Sequence, residues 1–304
     1  MLRTEPAAGR PPLPDWLRGL YPFEPKRHMC GPAGLSYVDA GPRSDEAVLL
    51  LHGNPTWSFM YRELIPALVA AGGRCIAPDH VGMGLSDKPQ DYPYRLATHV
   101  ANLESLVAAL GLRRVHLVVH DWGGAIGFGW AARHAALVGR IALLNTAAFP
   151  SPRIPLRIRV CRTPLLGALG VRGFNAFARA ATRMTVHRRP LAPAVRRGFL
   201  YPYGSWANRV AIHRFVQDIP LSGAHPSMAA LAEAARGLAQ FRSHAVLIAW
   251  GGADFCFTKH FFNRWLEFLP QSEAHLLPDA GHFLLEDAGD EVIPRINAFF
   301  GSPV

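Results

Sequence analysis

The stretch Val115-His116-Leu117-Val118-Val119-His120-Asp121-Trp122-Gly123-Gly124 decides the fold. An apolar run leads straight into a side chain that can attack an electrophile. Two glycines follow, and a helix-period stretch covers 124–134. This is the layout of a nucleophile elbow, a tight strand-to-helix turn that pushes one side chain out over the end of a sheet. The helix start sets backbone N–H groups and a positive dipole end beside that side chain. Gly123 and Gly124 supply the small residues such a turn needs after the nucleophile, whereas Val119 stands where a glycine is common. Taken alone, Asp121 reads as well as the cap of a helix N-terminus, so its role depends on its companions.

Outward from this turn, five more short apolar runs read as strands: 47–51, 74–77, 140–144, 245–250 and 274–277, with 115–119 as the sixth. None alternates with polar residues, the pattern of strands covered on both faces. Helix-period stretches at 61–71, 96–110, 124–134 and 260–269 lie between them. Strand–helix alternation of this kind predicts a doubly wound, mostly parallel α/β sheet. One connection breaks the rhythm. About a hundred residues separate Leu144 from Ala245, opening with Pro150, Pro152 and Pro155 and closing near Pro220 and Pro226. It is too long for a loop and carries helical patterns of its own. It is expected to be an inserted helical cap over the C-terminal edge of the sheet, dividing the chain into core 28–148, cap 149–226 and core 227–304.

The 304 residues suffice for such a core plus an insertion, and the composition, half apolar and 18 % charged, argues against disorder. No apolar run reaches the ~18–20 residues of a membrane-spanning helix. Residues 1–14 are polar and proline-rich and lack the apolar region of a secretory signal. Cys30, Cys75, Cys161 and Cys256 are scattered, with no metal-ligand spacing, so free thiols in a cytoplasmic protein and no metal are expected. The net charge of +10 is concentrated: between Pro150 and Asp218 stand thirteen arginines and one acidic residue. That stretch carries no stacking aromatics at single-strand spacing and no zinc-finger or RRM signature, so nucleic acid is not the expected partner.

Four further signals lie at strand ends. His52-Gly53-Asn54-Pro55 is a glycine turn that can aim N–H groups at an oxyanion. In Pro78-Asp79-His80-Val81-Gly82-Met83-Gly84-Leu85-Ser86-Asp87 the glycines read as turn residues, since no GK[ST] follows. Asp254, in Trp250-Gly251-Gly252-Ala253-Asp254, and His282, in Asp279-Ala280-Gly281-His282-Phe283, follow later strands. Each alone is an ordinary loop residue. Together Asp121, Asp254 and His282 stand in the chain order nucleophile, acid, base, each just after a strand, as a catalytic triad would.

With these motifs the sequence resembles the haloalkane dehalogenase family of α/β-hydrolases from about His28 onward. His52-Gly53-Asn54-Pro55, Pro78-Asp79 with Gly82 to Pro89, His120-Asp121-Trp122-Gly123-Gly124 and Gly281-His282 carry the likeness. The set is specific to this group and its epoxide-hydrolase neighbours, and the Asp nucleophile separates it from Ser esterases. The resemblance implies an α/β-hydrolase fold, Asp121 as nucleophile, His282 as base, Asn54 and Trp122 as donors to a halide or oxyanion, and no cofactor. In some members a Glu after the sixth strand assists the His. Here Leu144-Asn145-Thr146-Ala147 offers no acid, so Asp254 is expected to serve. Asn54 combined with Asp254 looks like the third subgroup, which is similar to the β-lactone decarboxylases of bacterial long-chain olefin biosynthesis.

The implied chemistry is attack by ionised Asp121 on an electrophilic carbon, through a covalent ester or mixed anhydride. A dehalogenase then hydrolyses the ester with water activated by His282. A β-lactone decarboxylase releases carbon dioxide and a cis-alkene, and the motifs leave open which lactone carbon is attacked. Haloalkane dehalogenase is the alternative. Beyond it stand an epoxide hydrolase using Tyr201 or Tyr203 as acid, and a silent binding protein. In the cap, Ile154, Leu156, Ile158 and Val160 alternate with Arg153, Arg157 and Arg159. Leu165, Leu166, Leu169, Phe174 and Phe177 follow beside Arg172, Arg179 and Arg183. The expected reading is an apolar face buried on the core beneath solvated arginines. The alternative is a basic amphipathic surface that meets anionic lipid or a partner enzyme. A hydrophobic small-molecule substrate suits either.

Overall fold

The computed structural model describes residues 12–301, so the polar stretch 1–14 lies outside them except for its last three residues. Among the described residues eight strands make one sheet: β1 Lys26–Cys30, β2 Ala33–Ala40, β3 Glu46–Leu51, β4 Cys75–Pro78, β5 Arg114–Asp121, β6 Val138–Thr146, β7 Val246–Gly251 and β8 Glu273–Leu277. Their order is β1-β2-β4-β3-β5-β6-β7-β8. β2 is antiparallel to both neighbours and every other pairing is parallel. The six expected strands are β3 to β8. β1 and β2 are additions: β1 is a charged edge strand that needs only one covered side, and β2 is buried but its sequence is interrupted by Gly34, Ser36 and Asp39. Gly31, at φ 60°, allows the tight turn between them.

Burial on both faces explains the unbroken apolar runs. Leu49, Leu51, Leu117, Val119, Ile141 and Leu143 point into one core, and their neighbours Val48, Leu50, Val118, Ala142 and Leu144 into the other. Helices Leu96–Ala109, Trp122–Ala131 and Lys259–Phe268 cover the first face. Leu64–Ala70 and Gly289–Gly301 cover the second. The result is an α/β-hydrolase fold.

Between β6 and β7 the chain forms the helices Leu156–Cys161, Pro164–Ala168, Ala176–Met184, Pro193–Leu200, Val210–Gln217 and Met228–Gly237. The last of these packs on Trp122–Ala131 and so belongs with the core. One expectation fails here. The apolar residues of the early insertion bury themselves only in part: Ile158 is buried, but Leu165 is 84 % and Leu166 71 % exposed, and Leu156, Val160, Leu169 and Phe174 are exposed too. The first two helices of the insertion are only six and five residues long. Such short helices bury little: Ile158 is the one fully buried side chain of the first, and the one buried residue of the second, Gly167, has no side chain.

The turn after β4 is held by Asp79. Its Oδ1 accepts from the Ser58 N–H at 2.7 Å and its Oδ2 from the Leu85 N–H at 2.7 Å. Burial pushes its carboxyl up to about 6. Gly84, at φ 48°, passes so close that a Cβ there would lie 2.4 Å from that carboxyl. Asp79→Ala strands two buried N–H groups and is expected to cost roughly 2–5 kcal/mol. A lower urea midpoint at unchanged slope is the readout, and an unshifted midpoint would count against this role.

Candidate active site

Asp121 ends β5 with φ 52° and ψ −123°, a conformation that L-residues rarely adopt. Such strain costs of order 1–3 kcal/mol and persists only where surrounding packing imposes it. The imposition is visible in the glycines. A Cβ on Gly123 would lie 2.0 Å from the Leu51 carbonyl oxygen, and one on Gly124 1.9 Å from Thr146 Oγ1. A Cβ on Gly53 would meet Asp121 Oδ1 at 2.0 Å. The Thr146 hydroxyl donates to the Asp121 carbonyl, and the β5–β6 register slips between His120 and Asp121. Val119 is tolerated because it points away from the turn, into the core toward Gly127.

The helix-cap reading of Asp121 is set aside by its side chain, which makes no cap hydrogen bond of the usual kind. Its carboxylate instead faces backward and is held by two backbone N–H groups, that of Asn54 at 2.7 Å to Oδ1 and that of Trp122. Oδ2 lies 3.8 Å from His282 Nε2. Burial raises the Asp121 pKa and Asp254 adds to this. His282 and the two N–H groups pull it down without cancelling the rise.

His282 Nδ1 donates to Asp254 Oδ2 at 2.7 Å. Burial opposes protonation of this imidazole, but Asp254 and then Asp121 outweigh it, and the net shift is upward. Asp254 is held in turn by the Cys256 N–H at 2.6 Å and by Asn145 Nδ2 at 3.0 Å. His120, driven neutral by burial, donates its Nε2–H to the His282 carbonyl at 2.8 Å. Phe257 stacks on the His282 ring at 5.6 Å and 15°. Asp121, His282 and Asp254, spread over 161 residues of the chain, thus stand in one line, hydrogen-bonded between His282 and Asp254 and within ion-pair distance between His282 and Asp121.

This line opens into a cavity of about 540 Å³ roofed by the insertion, with Phe149, Ile158, Phe177, Met184 and Phe261 among its walls. Asn54 and Trp122 also line it. One N–H of the Asn54 amide is committed to the Ile212 carbonyl at 3.0 Å, so the insertion sets the direction of the other. Tyr201 and Tyr203 do not line the cavity: the Tyr203 hydroxyl is buried against the Gly84 N–H and the Thr56 carbonyl. Among the described residues no group of three His, Cys, Asp or Glu side chains is placed to hold a metal.

Reading the sequence located the five residues that meet here but missed their supports. Asn145, noted only as a missing acid, holds both Asp254 and, through Oδ1, the Gly251 N–H. Its φ of 36° is the backbone counterpart of the elbow one strand away. Cys256, Phe257 and Ile212 carried no motif, because each contributes a backbone group or a ring face that many side chains would supply equally.

Residues 46–160 match the model of the α/β hydrolase fold family. The chain is 44 % identical over 288 residues to a cis-3-alkyl-4-alkyloxetan-2-one decarboxylase of Shewanella oneidensis, covering 92 % of this chain and 89 % of that one. A haloalkane dehalogenase of Mycobacterium marinum is 33 % identical over 278 residues, covering 86 % of this chain and 87 % of the other. Among solved structures, a haloalkane dehalogenase from Bradyrhizobium elkani superposes with a TM-score of 0.81 at 27 % identity, covering 90 % of this chain and 96 % of that one.

Proposed function

The chain belongs to the haloalkane dehalogenase-like family of α/β-hydrolases, and on that premise we propose that it is a cis-β-lactone decarboxylase, turning cis-3-alkyl-4-alkyloxetan-2-ones into cis-alkenes and carbon dioxide. The observation that carries the substrate is the 44 % identity to an enzyme of that name, against 33 % to a dehalogenase. The insertion 149–226 acts as the cap and the flanking parts, 28–148 and 227–304, as the core. Its apolar cavity suits two alkyl chains. Four unpaired cysteines suit a reducing cytoplasm. No described helix is long and apolar enough to cross a membrane.

Asp121 is the nucleophile, through Oδ2. Both nearby backbone N–H groups already hold the Asp121 carboxylate, so an acyl attack would have to displace it from them to stabilise its own oxyanion. Attack on the sp³ ring carbon bearing oxygen needs no such pair. The ring C–O bond breaks as the Asp121 ester forms, and a carboxylate is released. Asn54 and Trp122 donate to that carboxylate. The carboxylate then leaves as carbon dioxide, its electron pair forms the alkene, and the ester C–O bond breaks to restore Asp121. No water is consumed. Inversion followed by anti elimination preserves the cis arrangement. A purified-enzyme assay with a cis-lactone is expected to give cis-alkene and carbon dioxide. Halide from a bromoalkane without alkene from the lactone would assign the dehalogenase reading instead.

The two chemistries differ in pH dependence. Hydrolysis of an alkyl ester needs neutral His282, whose pKa is raised, so bromoalkane turnover falls as the pH drops through that value. Decarboxylation needs no base and persists until Asp121 itself is protonated. The ratio of alkene to halide formation is therefore expected to rise between pH 8 and pH 6. A constant ratio would place the same protonation step in both reactions.

A further inference from the structure

Nearly all the large apolar side chains that stand exposed among the described residues, Met29 apart, fall between Leu156 and Trp206. Six of them, Leu156, Val160, Leu165, Leu166, Leu169 and Phe174, follow one another along the first two insertion helices and the turn Leu169–Gly173. These pieces are in close contact: a Cβ on Gly167 would lie 2.3 Å from the Cys161 carbonyl oxygen. The six exposed side chains thus stand on adjoining pieces of chain. A monomeric soluble protein rarely leaves such a contiguous apolar surface uncovered.

The same segment supplies the charge. Arg153, Arg157, Arg159, Arg179 and Arg183 are exposed, and among the described residues no carboxylate lies within ion-pair distance of any of them. Thirteen arginines against one acidic residue between 150 and 218 exclude a second copy as the better occupant, because a two-fold contact would oppose this charge to itself. An anionic lipid surface complements both properties, taking leucines into the acyl boundary and arginines at the phosphates.

The patch also adjoins the cavity. Helix Leu156–Cys161 turns Ile158 and Cys161 to the cavity, and Leu156 and Val160 outward, and Ile154 and Pro155 just before it line the cavity as well. We propose that this face docks on anionic membrane lipid and that the cavity mouth opens at the bilayer, where a long-chain apolar substrate partitions. Docking is independent of which electrophile Asp121 attacks; its use as a substrate entrance rests on the long-chain lactone reading.

Sedimentation with vesicles tests the docking. The protein is expected to partition to phosphatidylcholine vesicles containing about 30 % phosphatidylglycerol at least tenfold more strongly than to phosphatidylcholine alone. The Leu165→Asp/Leu166→Asp variant should lose roughly tenfold or more of that binding while retaining its circular-dichroism spectrum and its turnover of a short-chain substrate, since neither side chain lines the cavity. Arg159→Gln/Arg183→Gln should weaken binding to the anionic vesicles selectively. Equal partition of the wild type and the Asp variant overturns the proposal, as does absence of binding to anionic vesicles. A dimer in light scattering that the Asp variant dissociates, with no vesicle binding, reassigns the patch to a second copy and also overturns it. Failure of the lactone reading would show separately, as absent alkene with vesicle binding intact.

Discussion

Asp121→Asn is expected to lower alkene formation by about four orders of magnitude or more and to abolish any covalent adduct on the peptide containing residue 121. The amide is isosteric and can still accept the Asn54 and Trp122 N–H groups, so the loss reads nucleophilicity and not folding. The stability effect runs the other way. The folded-state pKa of Asp121 is raised above its unfolded value, so the native state disfavours the carboxylate, and that penalty is fully present above the folded pKa. At neutral pH the neutral amide removes it, and the thermal midpoint should rise by about 2–4 °C for each ~1 kcal/mol relieved. Turnover and adduct that survive the substitution would remove Asp121 from the mechanism. A lower midpoint would contradict the electrostatic account alone.

His282→Ala should separate the chemistries that share this site. With a bromoalkane, about one equivalent of halide is released and turnover then falls by roughly 10³–10⁴, because no base activates water against the Asp121 ester. The alkyl ester accumulates and is detected by its mass. With the lactone no water is needed, and the loss should be smaller, on the order of 10–10² from altered electrostatics beside Asp121. Asp254→Ala should resemble His282→Ala on the bromoalkane, since it frees the imidazole from its 2.7 Å partner and lowers the His282 pKa. Equal losses on both substrates would draw His282 into the lactone step itself.

The candidate site was legible where chemistry demands a residue type at a strand end. An elbow tolerates nothing larger than glycine where its backbone passes Leu51 and Thr146, so Gly123 and Gly124 announce it. The order of Asp121, Asp254 and His282 was equally visible, because each sits at the C-terminal end of a parallel strand. Asn145 was legible only as an absence. Its hydrogen bond to Asp254 depends on a backbone turned to positive φ after β6, which no local pattern signals. The hairpin of β1 and β2 escaped for another reason: the edge strand β1 is charged, and the apolar residues of β2 are interrupted by Gly34, Ser36 and Asp39, so neither has an apolar run to betray it.

The insertion marks the limit more sharply. Its sequence carried apolar residues interleaved with arginines, a pattern that serves equally for a face buried on a core and for a face offered to lipid. Hydrophobic periodicity states that a side must be covered, not by what. The tertiary structure decided it, by breaking the segment into helices too short to turn Leu156, Leu165 and Leu166 inward while closing Ile158 and Phe177 over the cavity. The strand runs and glycine turns by themselves determined the sheet and the elbow that carries Asp121. Only the folded chain set the 3.8 Å between Asp121 and His282 and the direction in which the insertion faces, because both depend on contacts between segments far apart in sequence.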